Sequence, residues 1–256
     1  SMRHATAVLL LLTLPRAGAL AGQVRAGRIG EYTPPRDWAL RQHAFDLIHQ
    51  RIDVGFDMAH RMVTGTVRTQ LAVLDVSTDT VRLDAGNLTI DKVTDARGRA
   101  LKFSYDTSHV TVRLGRKARV GDTVDFSISY HTVPERGIYF VPRRHVIWSQ
   151  GEGTETRNWI PTYDAANDKT TWEFYVTADT GLKVLSNGRL VDVKPAGRGA
   201  QVWHWSQEEP ASTYLYSVVV GPFAVLRDNW RGVPVEYWVD PDTTAAAWRT
   251  FGETPS

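Results

Sequence analysis

Gln150 and Glu152 stand two positions apart in the stretch Trp148-Ser149-Gln150-Gly151-Glu152-Gly153-Thr154. Side chains two apart in an extended segment point the same way, so an amide and a carboxylate are offered to one small volume. The chemistry this pairing suits is recognition of a cation. A peptide's free α-amine has a pKa of about 8 and is largely an ammonium at neutral pH. A carboxylate answers it with a charge-assisted hydrogen bond, stronger than a neutral one, and an amide adds a carbonyl acceptor or an N–H donor. Trp148, Trp159 and Tyr163 flank the pair and are expected to wall such a site. Arg157 and Asp164 are expected to pair with each other and hold the loop in shape. On composition alone the same Gly-rich polar stretch also describes a hydrated loop.

Competing chemistries find little support. None of the eight His is arranged as H-E-x-x-H, and His43 and His49 straddle a linker-to-strand boundary. His204 alternates with Trp203 and Trp205 and is expected on the opposite face of its strand, as a surface or barrel-lining histidine rather than a ligand. A nucleophile elbow G-x-S-x-G is absent. Gly151-Glu152-Gly153 lacks the Lys and helix start of a phosphate loop. With no Cys in the chain, disulfides, thiolate metal sites and a Cys nucleophile are all excluded.

The elements that must position this loop read as strands. The 256 residues suffice for one large β domain with a real core. Apolar and polar residues alternate from Asp46 to Phe56 and from Met62 to Val76. Shorter runs follow at 81–83, 88–93, 101–105, 109–114 and 123–130, and the strand 170–177 leaves the loop. Leu182 to Leu185, Ser186-Asn187-Gly188 and Arg189 to Val193 predict a hairpin, since Asn-Gly between apolar runs favours a tight β-turn. Gln201 to Ser206 is expected to pair back across Ala196-Gly197-Arg198-Gly199. Tyr214 to Val220 reads as a central strand and Val233 to Val239 as the last. Many short strands with turn residues between them predict an all-β, antiparallel sandwich or curved sheet. Asp240-Pro241-Asp242 then opens a helix, with Asp as cap and Pro in the first turn.

The net charge of +2 gives no reason to expect a nucleic-acid partner. The densest basic spots, Arg113 to Arg119 and Pro142-Arg143-Arg144-His145, are short and lack a repeating aromatic platform. Arg3 and His4, the apolar run from Ala7 to Leu14, and the small residues from Ala17 to Gly22 predict a signal peptide, cleaved after Ala19 or Ala21, and hence export. Nothing later in the sequence is long and apolar enough to suggest a transmembrane segment.

The central loop and its surroundings resemble the N-terminal domain of the zinc aminopeptidase (gluzincin, aminopeptidase N-like) family. The resemblance rests on Ser149-Gln150-Gly151-Glu152 followed by Arg157-Asn158-Trp159-Ile160-Pro161-Thr162-Tyr163-Asp164. Gly137-Ile138-Tyr139 upstream matches as well. So do Leu185-Ser186-Asn187-Gly188, Pro210 with Tyr214-Leu215, Val219-Val220-Gly221-Pro222-Phe223, and the closing Phe251-Gly252-Glu253-Thr254-Pro255. Thr154-Glu155-Thr156-Arg157 replaces the family's commoner Ala-Arg. The resemblance implies a saddle-shaped β-sandwich packed on a catalytic domain, with the loop reaching the active site. It implies that Glu152 binds the α-ammonium of a peptide substrate and that Gln150 lines the pocket of its first residue. The family's zinc ligands and catalytic residues lie downstream of this region. No catalytic or metal residue is therefore expected here, the chain alone is expected to be inactive, and zinc is expected only in a full-length parent.

The implied organisation is a signal peptide over 1–21, a linker over 22–44, the β-sandwich over 45–240, and over 241–256 the first helix of a catalytic domain into which the chain is expected to continue. The rival expectation is a secreted, non-catalytic β-sandwich binding module.

Overall fold

A computed structural model describes residues 44–254. The expected signal peptide and all of the expected linker except Ala44 lie outside the described residues. The first five strands in chain order are β1 (Phe45–Asp57), β2 (Met62–Val73), β3 (Thr78–Asp84), β4 (Thr89–Asp95) and β5 (Phe103–Tyr105). Next come β6 (His109–Ala118), β7 (Thr123–Thr132), β8 (Ile138–Val141), β9 (Val146–Ser149) and β10 (Lys169–Asp179). The rest are β11 (Lys183–Ser186), β12 (Arg189–Gly197), β13 (Ala200–Ser212), β14 (Val218–Gly221), β15 (Ala224–Trp230) and β16 (Val233–Val239). The helix α1 (Thr244–Phe251) closes the described chain. No helix among the described residues is long and apolar enough to cross a membrane.

Three sheets share one core. A seven-stranded sheet runs β12-β13-β10-β1-β2-β7-β4, a four-stranded sheet β11-β14-β9-β8, and a three-stranded sheet β3-β6-β5. The alternation read from the sequence is visible in β2 and β7, where every second residue is buried and those between face outward. Val67, Phe126, Ile128 and Phe174 of the large sheet, Leu83 and Val112 of the three-stranded sheet, and Val184 and Val218 of the four-stranded sheet all belong to one buried cluster. Full burial of each large apolar side chain contributes about 1.5–3 kcal/mol.

The all-β, mainly antiparallel class is as expected, with three differences in detail. The central pair β1–β10 is parallel, with Ile52 opposite Phe174. A parallel pair needs a long crossover, and here it spans the eight intervening strands, so no local pattern announces it. The Asn187-Gly188 turn does not close a hairpin: β11 pairs with β14, whereas β12 pairs with β13. The turn carries the chain from the four-stranded to the seven-stranded sheet. The expected strand from Tyr214 begins only at Val218, after a 3-10 turn over Thr213–Leu215. β13 does pair back on β12 across the expected turn.

β15 and β16 form a separate two-stranded ribbon joined by Arg231 and Gly232, both at positive φ, as a type I′ turn requires. β15 went unread because charged and amide residues interrupt its apolar alternation. Asp240 caps the 3-10 turn over Pro241–Thr243 by accepting from the Asp242 N–H, as its position before Pro241 suggested. α1 rests on the ribbon through Tyr237, which stacks on Phe251 and meets Trp248 edge-on.

Candidate functional site

β8 and β9 deliver the loop. Their pairing sets Tyr139 opposite Trp148 and Ile138 opposite Ser149, and Gln150 N–H donates to the Gly137 carbonyl at 2.9 Å. Gln150 and Glu152 lie exposed on either side of buried Gly151, and Glu152 opens a turn closed by the Glu155 N–H on the Gly151 carbonyl at 3.2 Å, not the extended segment expected. A Cβ at Gly151 would come 2.3 Å from Thr156 Oγ1 and 2.6 Å from the Tyr214 carbonyl. At Gly137, at φ +83°, it would fall 2.2 Å from the Glu155 carbonyl. Only glycine lets the loop, the β8 lead-in and the 3-10 turn before Tyr216 approach so closely.

Beneath this tip the chain is locked by two buried polar networks. In the first, Asp164 accepts from Arg157 N–H at 3.1 Å, Arg157 Nε at 3.3 Å and Thr213 Oγ1 at 2.9 Å. Arg157 Nη1 also sits 3.2 Å from Asp84 Oδ1, and Asp164 N–H donates to Asp84 Oδ2 at 2.9 Å. Burial pushes the Asp164 carboxyl up from its ordinary range, while Arg157 and Thr213 pull it back. The expected Arg157–Asp164 pair is thus part of a larger set.

In the second network the Gln50 amide donates to Thr69 Oγ1 at 2.9 Å and to the Pro161 carbonyl at 3.3 Å. It accepts from Thr162 Oγ1 at 2.7 Å and from the Tyr216 hydroxyl at 2.9 Å. Burial raises the Tyr216 hydroxyl well above its usual pKa, which keeps it a donor. The partners of Gln50 lie up to 166 positions away, and nothing in its own neighbourhood marked it.

Trp159 and Tyr163 do not wall the site. They are 0% and 7% exposed and belong to the core, where Trp159 stacks on Phe174 at 6.0 Å. Large aromatic rings in a loop that covers a sheet are drawn under it by their apolar area. Trp148, 38% exposed, keeps the expected place and stacks on Tyr139 with centroids 4.6 Å apart. Tyr139 is the aromatic group that reading for side-chain chemistry overlooked; its signal was Gly137-Ile138-Tyr139. Exposed Leu215 lies in the 3-10 turn that abuts Gly151.

Glu152 has no hydrogen-bond or ion-pair partner among the described residues, whereas the loop's other carboxylates are engaged. Glu155 accepts from Asn158 at 3.0 Å and lies 3.4 Å from Arg136, and the Asp168 carboxylate accepts from the Leu47 N–H at 3.3 Å. His204 is enclosed: it stacks on Tyr175 at 4.1 Å, and its Nε2 lies 2.8 Å from Glu173 Oε1. It lies on the face of β13 opposite the core, as the alternation with Trp203 and Trp205 required. No group of three or more His, Asp or Glu among the described residues could hold a metal ion.

The model of the peptidase M1 N-terminal domain matches residues 46–215. A leucyl aminopeptidase of Saccharolobus solfataricus is 34% identical over 158 residues, covering 60% of this chain and 19% of that protein. Transcription initiation factor TFIID subunit 2 of Gallus gallus is 28% identical over 117 residues, covering 42% of this chain and 10% of that protein. A solved M1 zinc metallopeptidase of Deinococcus radiodurans, bound to a Tyr-Ser-Ala substrate, shares the fold with a TM-score of 0.69 at 18% identity. That match covers 81% of this chain and 52% of the other. The chain therefore spans about half of the solved relative and a fifth or less of these curated ones.

Proposed function

The chain belongs to the peptidase M1 N-terminal domain family, and from that membership we propose that it is the substrate-anchoring N-terminal domain of an exported zinc metallo-aminopeptidase. The observation that carries this reading is the uncommitted carboxylate of Glu152, exposed on a loop whose other charged groups are engaged. In this reading Glu152 holds the α-ammonium of a peptide, Gln150 lines the pocket of its first residue, and the Tyr139–Trp148 stack borders the site. The donor set of the described residues does not fit a zinc ion. Zinc, which in such enzymes activates the hydrolytic water, belongs to the parent's catalytic domain, and the present chain alone is inactive.

The partner of this domain in the parent is that catalytic domain. The β15–β16 ribbon presents Trp230, 44% exposed, with Val233. Apolar surface of this kind suits a covering domain. Residues 241–256 are read as the opening of that domain, 22–44 as a linker, and 1–21 as a signal peptide that directs export.

The test is Glu152→Ala in the full-length parent, assayed on aminoacyl amides. A lost charge-assisted bond of about 1.5–3 kcal/mol lowers kcat/KM roughly 10- to 150-fold. Unchanged kinetics would remove Glu152 from amine recognition. N-terminal sequencing of the same secreted protein should start at Leu20 or Gly22, and a start at the initiating residue would refute export. A second reading is a non-catalytic secreted β-sandwich binding module; the similarity to TFIID subunit 2, whose name is not that of a peptidase, bears on its non-catalytic part alone. Under it the gene product binds no zinc and hydrolyses no peptide.

A further inference from the structure

The positive charge of the chain is unevenly spread. Seven of its 30 Lys and Arg fall between Arg97 and Arg119, a stretch whose one acid is Asp106. The three-stranded sheet folds this stretch back on itself. β5 pairs with β6, and the Arg113 N–H donates to the Lys102 carbonyl at 2.8 Å. β6 then loses its register with β3: Thr80 faces Arg113 and Thr78 faces Ala118. One β3 residue, Asp79, therefore opposes the four from Leu114 to Lys117.

A bulge of this kind bends its strand and re-aims side chains. It turns through Gly115 at φ +70°, where a Cβ would meet nothing within 4 Å, so glycine is required there for conformation and not for space. The bulge borders a groove of about 850 Å³. Lys102, Arg113, Arg116 and Lys117 line it together with Ser77 and Thr78, and Asp79 is its one acid. Arg116 is held by Asp122 at 2.9 Å. Lys102, Arg113 and Lys117 have no ion-pair partner among the described residues.

We propose that this groove binds a ligand bearing several phosphate charges. Ammonium and guanidinium groups converge there with the Ser77 hydroxyl, the donor set that phosphate oxygens take, while the Thr78 hydroxyl is engaged with the Thr80 backbone. Three cations without an ion-pair partner among the described residues, beside Arg116 already on Asp122, favour a multiply charged anion over a monoanion. The volume exceeds a single phosphate and admits a chain or ester of them. The ligand is either a soluble polyphosphorylated molecule or the headgroup of an anionic lipid. Exposed Val76 and Val120 adjoin the groove, because Thr78 pairs with Ala118 and the Gly121 N–H donates to the Val73 carbonyl. They are the edge a bilayer would meet. The proposal does not rest on the amine-anchoring role of Glu152.

The experiment titrates the purified chain with inorganic tripolyphosphate by calorimetry at low salt. In parallel the chain is sedimented with phosphatidylcholine vesicles containing or lacking phosphatidic acid. The variants are Lys102→Ala with Lys117→Ala, and Arg143→Ala with Arg144→Ala as a control of equal charge. All four side chains are exposed, so the fold is retained. The groove pair should lose about tenfold in affinity, a loss reasonable for two charge-assisted contacts at an exposed site, while the control holds within about twofold. Vesicle capture that requires phosphatidic acid assigns a lipid headgroup; tripolyphosphate binding without capture assigns a soluble ligand. Tripolyphosphate that displaces bound vesicles assigns one site to both. Equal losses in the two variant pairs, or no binding of either probe at about 1 mM, overturns the proposal.

Discussion

A charged side chain can be spent on its neighbours or left for a ligand, and the loop after β9 contains both kinds within a dozen residues. Asp164 is spent: it is buried and shares Arg157 with Asp84. Removing it leaves the Arg157 guanidinium with Asp84 as its one carboxylate and strands the Thr213 hydroxyl and the Arg157 backbone N–H. Asp164→Ala should cost about 3 kcal/mol and lower Tm by roughly 6–12 °C. Glu152→Ala removes an exposed group without a partner and should stay within about 0.5 kcal/mol of the parent chain. Thermal melts of the two variants check the contrast; equal losses would show that Glu152 is scaffold. This division was half legible. Arg157 and Asp164 lie in one loop, so their pairing could be read, whereas the isolation of Glu152 is visible only in the fold. Asp84, Thr213 and Gln50 reach the loop through the fold from dozens of positions away, and no spacing rule reports that. Trp159 and Tyr163 were misplaced for the converse reason. Residue type says aromatic, but only the sheet beneath decides whether a ring is wall or core.

At the scale of elements, period-two alternation located most of the strands, because each large strand buries one face and wets the other. Alternation fixes a strand and its faces but not its partner. The Asn187-Gly188 turn shows the difference. Its local chemistry is that of a hairpin, yet Asn187 Oδ1 accepts the Ser217 N–H at 2.8 Å, and Gly188 lies against β13. The turn is used as a staple between two sheets. A Cβ at Gly188 would fall 2.0 Å from the Ser206 carbonyl, at φ +77°. Gly188→Ala must therefore push β13 and also adopt a strained backbone, at a cost of about 1–3 kcal/mol. The hairpin reading expects only the cost of the turn residue, with β11 and β12 still paired. Denaturant melts measure the loss. Hydrogen exchange locates it, since the staple reading places weakened protection in both β13 and β14. Protection lost only between β11 and β12 would restore the hairpin.

The whole described unit depends on one parallel seam, β1 against β10, at the middle of the seven-stranded sheet. Its outward face carries a titratable group that couples folding to pH. His49 Nδ1 lies 2.8 Å from Thr171 Oγ1, and its Nε2 lies 3.8 Å from Glu173, which also holds His204. Burial lowers the His49 pKa; Glu173 opposes this and Arg68 on β2 adds to it. The folded chain thus binds this proton less readily than the unfolded chain, whose imidazole titrates at about 6.5. Stability from His49 is complete above that value and is lost as pH falls through it toward the lower folded pKa. Tm should drop between pH 7.5 and pH 5, and the drop should shrink in His49→Gln, which keeps a hydrogen-bonding group for Thr171 but carries no proton to gain. Calorimetric scans of both chains across that window decide it. Equal slopes would mean that Glu173 cancels the effect of burial and that the seam is indifferent to the charge of its histidine. A steeper slope in the variant would mean that the ion pair with Glu173 stabilises the seam at low pH.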